Sequence, residues 1–289
     1  MRRIGRILAA ALVLFVEAGA IVSAGDYLCS CSVPYHVKFC TAEDGRFRQQ
    51  RISDENLSVM KRMEKEWDIP VFRLLAASMA ANGFTLEEAG LETLEKADFL
   101  KLEEYLQKEH KKEYEQLLVN YGTIWKDVEY FPVAESCTSP DAMVSFEDSW
   151  MYERTFGGKR GHEGCDIMAA VNKRGYYPVV SMTDGVVEKI GWLTKGGYRI
   201  GIRSASGGYY YYAHLYRYAK EYEAGDTVQA GELIGYMGDS GYGDEGTVGQ
   251  FAVHLHVGIY LNDDKGEEIS VNPYPVLKYF QQKTLQYSY

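Results

Sequence analysis

The sequence of 289 residues has few cysteines and no concentration of positive charge. Five cysteines are too few for a small domain held together mainly by disulfides. The 31 lysines and arginines are outnumbered by 41 acidic residues and form no basic stripe, which argues against a nucleic-acid-binding protein. Hydrophobic residues make up 46% of the chain, enough for a folded core, so collagen-like and disordered classes are excluded, as are multi-spanning membrane proteins.

Residues 1–24 have the layout of an export signal. Three arginines precede an apolar run that extends from Ile7 to Ala24 and is interrupted by Glu17. The sequence leaves open whether this segment is a cleaved signal peptide or a retained membrane anchor, since its length is close to the minimum for a membrane span. In both cases we expect the rest of the chain to be extracytoplasmic, either secreted or anchored to the outer face of the cytoplasmic membrane.

Export would allow some of the cysteines to form disulfides. Cys29, Cys31, Cys40 and Cys137 can pair in three ways, and free thiols are the alternative. A zinc site is disfavoured at Cys29 and Cys31 because only one residue separates them.

Two regions of different periodicity predict a two-domain protein. After a linker at 25–52, residues 53–130 have the apolar spacing of an all-α helical module, with helices over 57–67 and 71–79, a third starting at 85–88, and the longest beginning near Lys101. We expect this module to be a spacer or packing partner, since it contains no cluster of chemically active residues.

Residues 131–280 instead contain short β-like runs separated by glycines, followed by a tail at 281–289. This pattern predicts an all-β antiparallel domain, a sandwich or a barrel-like fold. The predicted strands are Val179–Met182, Gly185–Trp192, Tyr198–Ser204, Gly208–Leu215, Thr227–Gly235 and His254–Leu261.

Four of the six histidines lie in three short motifs of this region. In the His254-Leu-His256 motif both imidazoles point to the same face of a strand. His162 and Asp166 would be about 13 Å apart in an extended chain at roughly 3.3 Å per residue, so the intervening backbone must curl for them to meet. Two imidazoles and a carboxylate that leave a fourth position open form a catalytic zinc site. The third motif is Tyr212-Ala-His214-Leu.

Together these motifs resemble the lysostaphin-type, or LytM-like, zinc endopeptidases, the glycyl-glycine endopeptidase family of bacterial peptidoglycan hydrolases. The resemblance covers about 136–275. It is carried by Phe131-Pro-Val, Trp150, the HEGCDI stretch at 162–167, Asp184-Gly-Val-Val, Tyr212-Ala-His-Leu, the Gly225–Gly235 hairpin and the final HLH at 254–256.

The resemblance implies a β-rich catalytic fold of the duplicated hybrid motif type that holds one zinc ion per chain. It implies that His162, Asp166 and His256 are the zinc ligands and that His214 and His254 are the catalytic histidines. Which of these two acts as the general base stays open. The implied partner is a peptidoglycan peptide, either a stem or a cross-bridge. The sequence gives no oligomeric state.

Three further residues of the motifs have weaker interpretations. Glu163 follows the first predicted ligand, but the helical H-E-x-x-H pattern that would make it a general base is absent. Cys165 should point away from Asp166 into the core, because neighbours on a strand face opposite sides. Tyr212 is a candidate for substrate contact.

The loop before the final motif is longer and more acidic than is usual in the resembling family. It contains Asp239, Asp244 and Glu245 and no lysine or arginine, so we expect negative potential at the rim of the cleft and attraction of a substrate amino group.

Two alternatives to an endopeptidase stay open at the level of sequence. The first is a non-catalytic protein for wall binding or assembly that keeps the fold, and the second is a carrier domain suggested by the Gly225–Gly235 hairpin. The hairpin lacks the lysine that would carry biotin or lipoate. If the endopeptidase interpretation holds, we expect residues 131–289 alone to bind zinc and cut wall peptides.

Overall fold

The computed structural model describes residues 35–263 and 265–289. The predicted export segment at 1–24, Cys29 and Cys31 lie outside the described residues. Val37–Tyr289 form one compact unit. Within the described ranges, no helix combines the length and the apolar character needed to cross a membrane.

Helices dominate residues 45–125. They are α1 (Gly45–Gln49), α2 (Asp54–Trp67), α3 (Val71–Ala81), α4 (Lys96–Glu109) and α5 (Lys111–Trp125), with a 3₁₀ turn at Leu91–Thr93. Helix α2 begins at Ser53, whose hydroxyl accepts a hydrogen bond from the backbone N–H of Asn56, and it ends at Asp68 in the left-handed conformation. The helices bury apolar faces as predicted.

Two helix predictions are wrong. Thr85–Leu86 form strand β2, which pairs in parallel with β1 (Arg51–Ile52), so no third helix starts there. The predicted long helix from Lys101 is instead two helices, α4 and α5, separated at His110. The apolar spacing continues across this break, which explains why periodicity alone did not reveal it.

The rest of the chain is mainly β-structure, as predicted. The strands are β3 (Glu135–Ser136), β4 (Val144–Ser145), β5 (Glu153–Arg154), β6 (Arg160–Gly161), β7 (Cys165–Ala169), β8 (Pro178–Val180), β9 (Gly185–Leu193), β10 (Gly197–Arg203), β11 (Tyr209–Tyr218), β12 (Thr227–Val228), β13 (Leu233–Met237), β14 (His254–Asn262), β15 (Glu268–Val271) and β16 (Gln286–Tyr287), and helix α6 is Tyr274–Phe280.

The main sheet is antiparallel. Its strands lie in the order β12-β9-β10-β11-β14-β7-β4, with β13 pairing with β11 and β8, and β15 pairing with β14. Strands β5 and β6 form a separate hairpin, Glu153–Gly161. This order places β7, β14 and β11, the strands that contain the histidine motifs, next to one another.

Segments predicted as irregular at both ends of the unit are partly ordered. The predicted linker at 25–52 contains α1 and β1, and the predicted tail at 281–289 contains β16, which pairs in parallel with β3. A two-residue strand gives no periodicity that sequence analysis could detect.

The helices and the main sheet share one core, where the sequence predicted two domains. Trp125 on α5 is buried and donates a hydrogen bond from Nε1 to Gln50 Oε1 at 2.8 Å. Tyr210 on β11 is also buried, and its hydroxyl donates to the Ile124 carbonyl oxygen at 2.9 Å. The helices therefore pack directly on the sheet within the unit Val37–Tyr289.

Candidate active site

Strand register brings most of the predicted site residues to one face of the main sheet. Asp166 on β7 lies opposite His256 on β14, and His256 lies opposite Ala213 on β11. His254 is two residues before His256, so the two histidines share a face, as predicted. His214 directly follows Ala213. Antiparallel pairing thus converts residues distant in sequence into neighbours.

His162, Asp166 and His256 form a cluster that could hold a metal ion. His162 Nε2 lies 3.1 Å from Asp166 Oδ1 and 3.0 Å from His256 Nδ1. His256 Nδ1 lies 3.0 Å from Asp166 Oδ1. Ligand atoms placed about 2.0–2.1 Å from a tetrahedral zinc ion are about 3.3 Å from one another. The spacing and the donor types therefore fit zinc, with a fourth position open.

The turn between β6 and β7 allows His162 to reach the cluster. Gly164 lies in this turn, and a Cβ atom there would be 2.3 Å from Cε1 of His256. Only glycine leaves room for the imidazole at this close approach. The curled backbone predicted between His162 and Asp166 is confirmed.

Neighbouring groups fix the orientation of the cluster. His162 Nδ1 lies 3.2 Å from the Ser149 carbonyl oxygen and 3.1 Å from Arg154 Nη2, so the ring is held with Nε2 facing Asp166 and His256. Arg154 Nη2 donates to Asp166 Oδ2 at 2.5 Å, so Oδ1 stays directed at the imidazoles. Sequence analysis missed Ser149 and Arg154 because neither belongs to a recognisable motif.

His214 and His254 lie beside the cluster, with ring centroids 4.7 Å apart. The Nδ1 atom of His214 is 2.7 Å from the Ser240 carbonyl oxygen, and that of His254 is 2.8 Å from the Ala252 carbonyl oxygen. Each Nδ1 can donate its proton to a carbonyl, which leaves Nε2 as the basic atom. His254 Nε2 lies 3.8 Å from Asp166 Oδ1.

The environment favours neutral imidazoles beside an ionised carboxylate. Burial, together with the nearby His254 and His256, lowers the pKa of His214 well below its usual value. Burial likewise lowers the pKa of His256, against the opposing effect of Asp166. Burial alone would raise the pKa of Asp166, but hydrogen bonds from His162 and His256 hold it far below its usual range. These are the protonation states in which such residues bind zinc.

Comparison with known proteins assigns this arrangement to a family. Peptidase family M23 matches residues 160–272, a range that includes all five site residues. A crystal structure from Ruminococcus gnavus, provisionally named a LytM glycyl-glycine endopeptidase, is 46% identical, with a TM-score of 0.75, over 86% of this chain and 95% of its own. The chain belongs to the M23 peptidase family.

Two curated relatives match a smaller share of this chain. The L-Ala–D-Glu endopeptidase of Bacillus subtilis is 44% identical over 142 residues, which are 49% of this chain and 42% of that protein. A glycyl-glycine endopeptidase of Staphylococcus capitis is 31% identical over 149 residues, 47% of this chain and 37% of that protein. The chain thus matches less than half the length of either relative.

The five predicted site residues line a cleft of about 830 Å³. The β5–β6 hairpin contributes one part of its wall, and the turn between β9 and β10 contributes another. Phe156 of the hairpin stacks on Tyr242 with ring centroids 4.1 Å apart. The remaining lining includes Lys189, Lys195, Arg199, Tyr209, Tyr211, Phe251, Tyr260 and Glu268.

The prediction that Tyr212 contacts substrate is wrong. Tyr212 is fully buried, and its hydroxyl accepts a hydrogen bond from the Met182 N–H at 2.8 Å. The alternation of β11 is broken at His214, which has φ of 62°, and the register with β10 shifts at the same place. This bulge turns His214 to the side of Tyr211 instead of Tyr212. Tyr209 and Tyr211 therefore line the cleft.

The acidic loop borders the cleft, but its carboxylate side chains are not among the lining residues. Tyr242 and Phe251 are the loop residues whose rings line the cleft. Asp239 is buried and forms an ion pair with Arg174, and Asp244 and Glu245 are not among the lining residues. Asp239 is thus neutralised by Arg174, which lies outside the loop, and the negative rim stays a prediction that rests on Asp244 and Glu245.

Glu163 lines the cleft but pairs with a residue outside it, and the cysteines of the described chain do not line the cleft. Glu163 is half exposed and accepts a hydrogen bond from Arg48 Nη2 at 3.0 Å. Cys165 is fully buried, as predicted. Cys40 and Cys137 are free thiols, so the structure does not pair them with each other.

Proposed function

We propose that the protein is a zinc-dependent endopeptidase that hydrolyses peptide bonds of peptidoglycan. The observation that carries this proposal is the convergence of His162, Asp166 and His256 with His214 and His254 in one cleft. Membership of the M23 family and the names of the relatives support the reaction class.

His162 Nε2, Asp166 Oδ1 and His256 Nδ1 would hold the zinc ion. When bound, zinc supplies Lewis acidity toward the scissile carbonyl and toward a water molecule. Asp166 brings a negative charge that partly offsets that of the ion. Ser149 and Arg154 keep the three donors in place for binding.

His214 and His254 carry the proton transfers in this proposal. With Nδ1 of each donating to a backbone carbonyl, each Nε2 is free to accept a proton. One histidine takes the proton of the attacking water, and the other stabilises the charge that develops on the carbonyl oxygen. Their short separation allows both to serve a single peptide bond.

The stem peptide is the better supported substrate. Of the two curated relatives, the one named for an L-Ala–D-Glu bond is 44% identical and the one named for a glycyl-glycine bond is 31% identical, while the 46% identical Ruminococcus gnavus structure carries its glycyl-glycine name only provisionally. We therefore propose cleavage in the stem rather than in a glycine cross-bridge.

Isolated cell walls provide the decisive test. The purified protein should clear a wall suspension and release stem-peptide fragments, and a chelator should abolish clearing until zinc is restored. His162→Ala should lose both clearing and stoichiometric zinc. His110→Ala is the matched control, because His110 lies between α4 and α5 and does not line the cleft.

Clearing that survives both chelation and His162→Ala would contradict the zinc mechanism. A protein that sediments with walls and binds zinc, but releases no fragments, would instead be the non-catalytic wall-binding alternative.

We also propose export, supported only by the sequence of residues 1–24. Fractionation of cells together with N-terminal sequencing tests it. A membrane-bound chain starting at Met1 indicates an anchor, and a released chain starting at Gly19 or Gly25 indicates cleavage. Full-length protein in the cytoplasm contradicts the proposal.

A further inference from the structure

The carboxylates that line the cleft are already neutralised. Asp166 contacts Arg154, and Glu268 accepts from Lys189 Nζ at 2.9 Å. Glu163, the third, pairs with Arg48. No negative charge of the cleft lining is left to balance further cations.

Three cations of the same lining have no carboxylate partner in the described ranges. They are Arg160, Lys195 and Arg199. In Arg160 and in Arg199 the Nη1 atom is buried and has no hydrogen-bond partner among the described atoms. The described protein therefore leaves part of the donor capacity of both guanidinium groups unused. These cations are opposite in sign to the net charge of the protein, which is −10.

Arg199 lines the same cleft as the metal-binding cluster. It is on β10, at the point where the register with β11 shifts around His214. The positive charge of Arg199 lowers the pKa of the Tyr211 hydroxyl, but burial has the larger effect and raises this pKa to about 12. The Tyr211 ring in turn lies 5.9 Å from the His256 ring. Arg199 and Tyr211, on neighbouring strands, both line the cleft.

We propose that Arg199, assisted by Arg160, binds a free carboxylate of the peptide substrate next to the bond that is cut. The inference rests on the proposed function and names its substrate class: an acidic peptide rather than an uncharged bridge. A guanidinium can donate two parallel hydrogen bonds to a carboxylate. Amidation of that carboxylate removes its charge and one acceptor, so the cleft should discriminate between the two forms.

A pair of synthetic stem peptides tests the inference. Both contain L-Ala linked through its carboxyl to the amino group of D-Glu, whose γ-carboxyl continues the chain, and they differ only in the α-carboxyl of D-Glu, which is free in one and amidated in the other. For the unaltered protein we expect kcat/KM to be about tenfold or more higher for the acid, as one charge-assisted hydrogen-bonded contact allows. The preference should shrink as salt is raised.

Substitutions show which residues produce the preference for the acid over the amide. Arg199→Gln should raise KM for the acid about tenfold, with kcat retained and the amide unaffected, so that the acid-to-amide ratio falls toward one. Arg199→Lys should restore part of the ratio, because it keeps the charge without the paired donors. Arg160→Gln should have a smaller effect in the same direction. Arg62→Gln is the matched control, since Arg62 lies on α2 and not in the cleft lining.

Direct binding separates this inference from the proposed function. Calorimetric titration of both peptides into the unaltered protein should show tighter binding of the acid, and Arg199→Gln should abolish the difference. Equal affinity for acid and amide, or binding of neither, overturns the inference, even if the protein cuts the peptides. Selective binding of the acid without cleavage of either peptide supports the inference and overturns the proposed function.

Discussion

Two groups of residues in the cleft differ in how their polar atoms are compensated: the three metal-binding residues with their supports, called the metal side, and the cations Arg160 and Arg199, called the cationic side. On the metal side, the atoms of His162, Asp166 and His256 lie 3.0–3.1 Å from one another and are held by Ser149 and Arg154. On the cationic side, Arg160 and Arg199 each have a buried Nη1 atom without a partner in the described structure. The three donor atoms of the metal side are therefore already close enough to bind one small ion.

This difference indicates that the two sides are organised for different tasks. A cluster whose members already contact one another needs little rearrangement to bind a metal ion, which is what catalysis requires. Donors that contact no acceptor gain most when a ligand brings one. Substitutions that separate metal affinity from substrate preference therefore test whether the sides are independent.

Removal of the helices should have the largest effect, because it abolishes both sides together. Tyr210 and Tyr279 are buried, and each packs against α5. Loss of the packing around one large aromatic side chain costs about 3–5 kcal/mol, against a typical total stability of about 5–15 kcal/mol. Residues 131–289 should therefore show no cooperative thermal unfolding by circular dichroism, contrary to the expectation from sequence.

Residues 37–289 provide the control for this deletion, since they form the complete compact unit. A stable 131–289 fragment that binds zinc and cuts wall peptide would show instead that the helices are only a spacer.

Gly164→Ala should damage the metal side selectively. The new Cβ atom would lie 2.3 Å from the His256 ring and 2.7 Å from the Val257 carbonyl oxygen, so the imidazole or the strand must shift. We expect zinc affinity, measured by competition with a chelator, to fall about 10–100-fold, as for other displaced metal environments. Gly45→Ala, where a Cβ meets nothing within 4 Å, is the control. Unchanged affinity would mean that the close contact relaxes without cost.

Much of the metal side could be predicted from the sequence because its residues lie in motifs with a local geometric meaning. His254 and His256 share a face through the two-residue period of a strand, and the glycine at 164 indicates the turn that brings His162 to Asp166. The resemblance to the LytM-like endopeptidases indicated that these motifs belong to one site.

The cationic side could not be predicted, because it depends on non-local pairing. Arg160 and Arg199 belong to different hairpins and share no motif. The bulge at His214 also reverses which tyrosines of β11 face the cleft, and a period of two cannot show where alternation breaks. The expectation that Asp239 would contribute free negative charge failed for a similar reason, since its partner Arg174 is 65 residues away.

Two arginines of the cleft should respond differently to the same substitution. Arg154→Gln removes the hydrogen bond to Asp166 Oδ2, so zinc affinity should fall about tenfold. Arg199→Gln should leave zinc affinity within about twofold, since the structure shows no contact between its side chain and the three donors. Competition with a chelator measures both variants. Equal losses would show that the two sides form a single coupled unit.

The smallest effect is expected at Cys165, which lies next to Asp166 but faces away from the cleft. Burial raises the pKa of its thiol far above the usual value, and the nearby negative charge of Asp166 acts in the same direction. The reactive thiolate forms only as the pH approaches that raised pKa, so it is scarce at pH 8. Iodoacetamide should therefore modify the exposed Cys137 and leave Cys165 unmodified, as read by peptide mass spectrometry. Chelation of the metal should change Cys165 labelling less than twofold, whereas denaturant should expose it. Rapid labelling of Cys165 in the folded protein would show that β7 opens on its core side, and the metal side would then be less rigid than its contacts indicate.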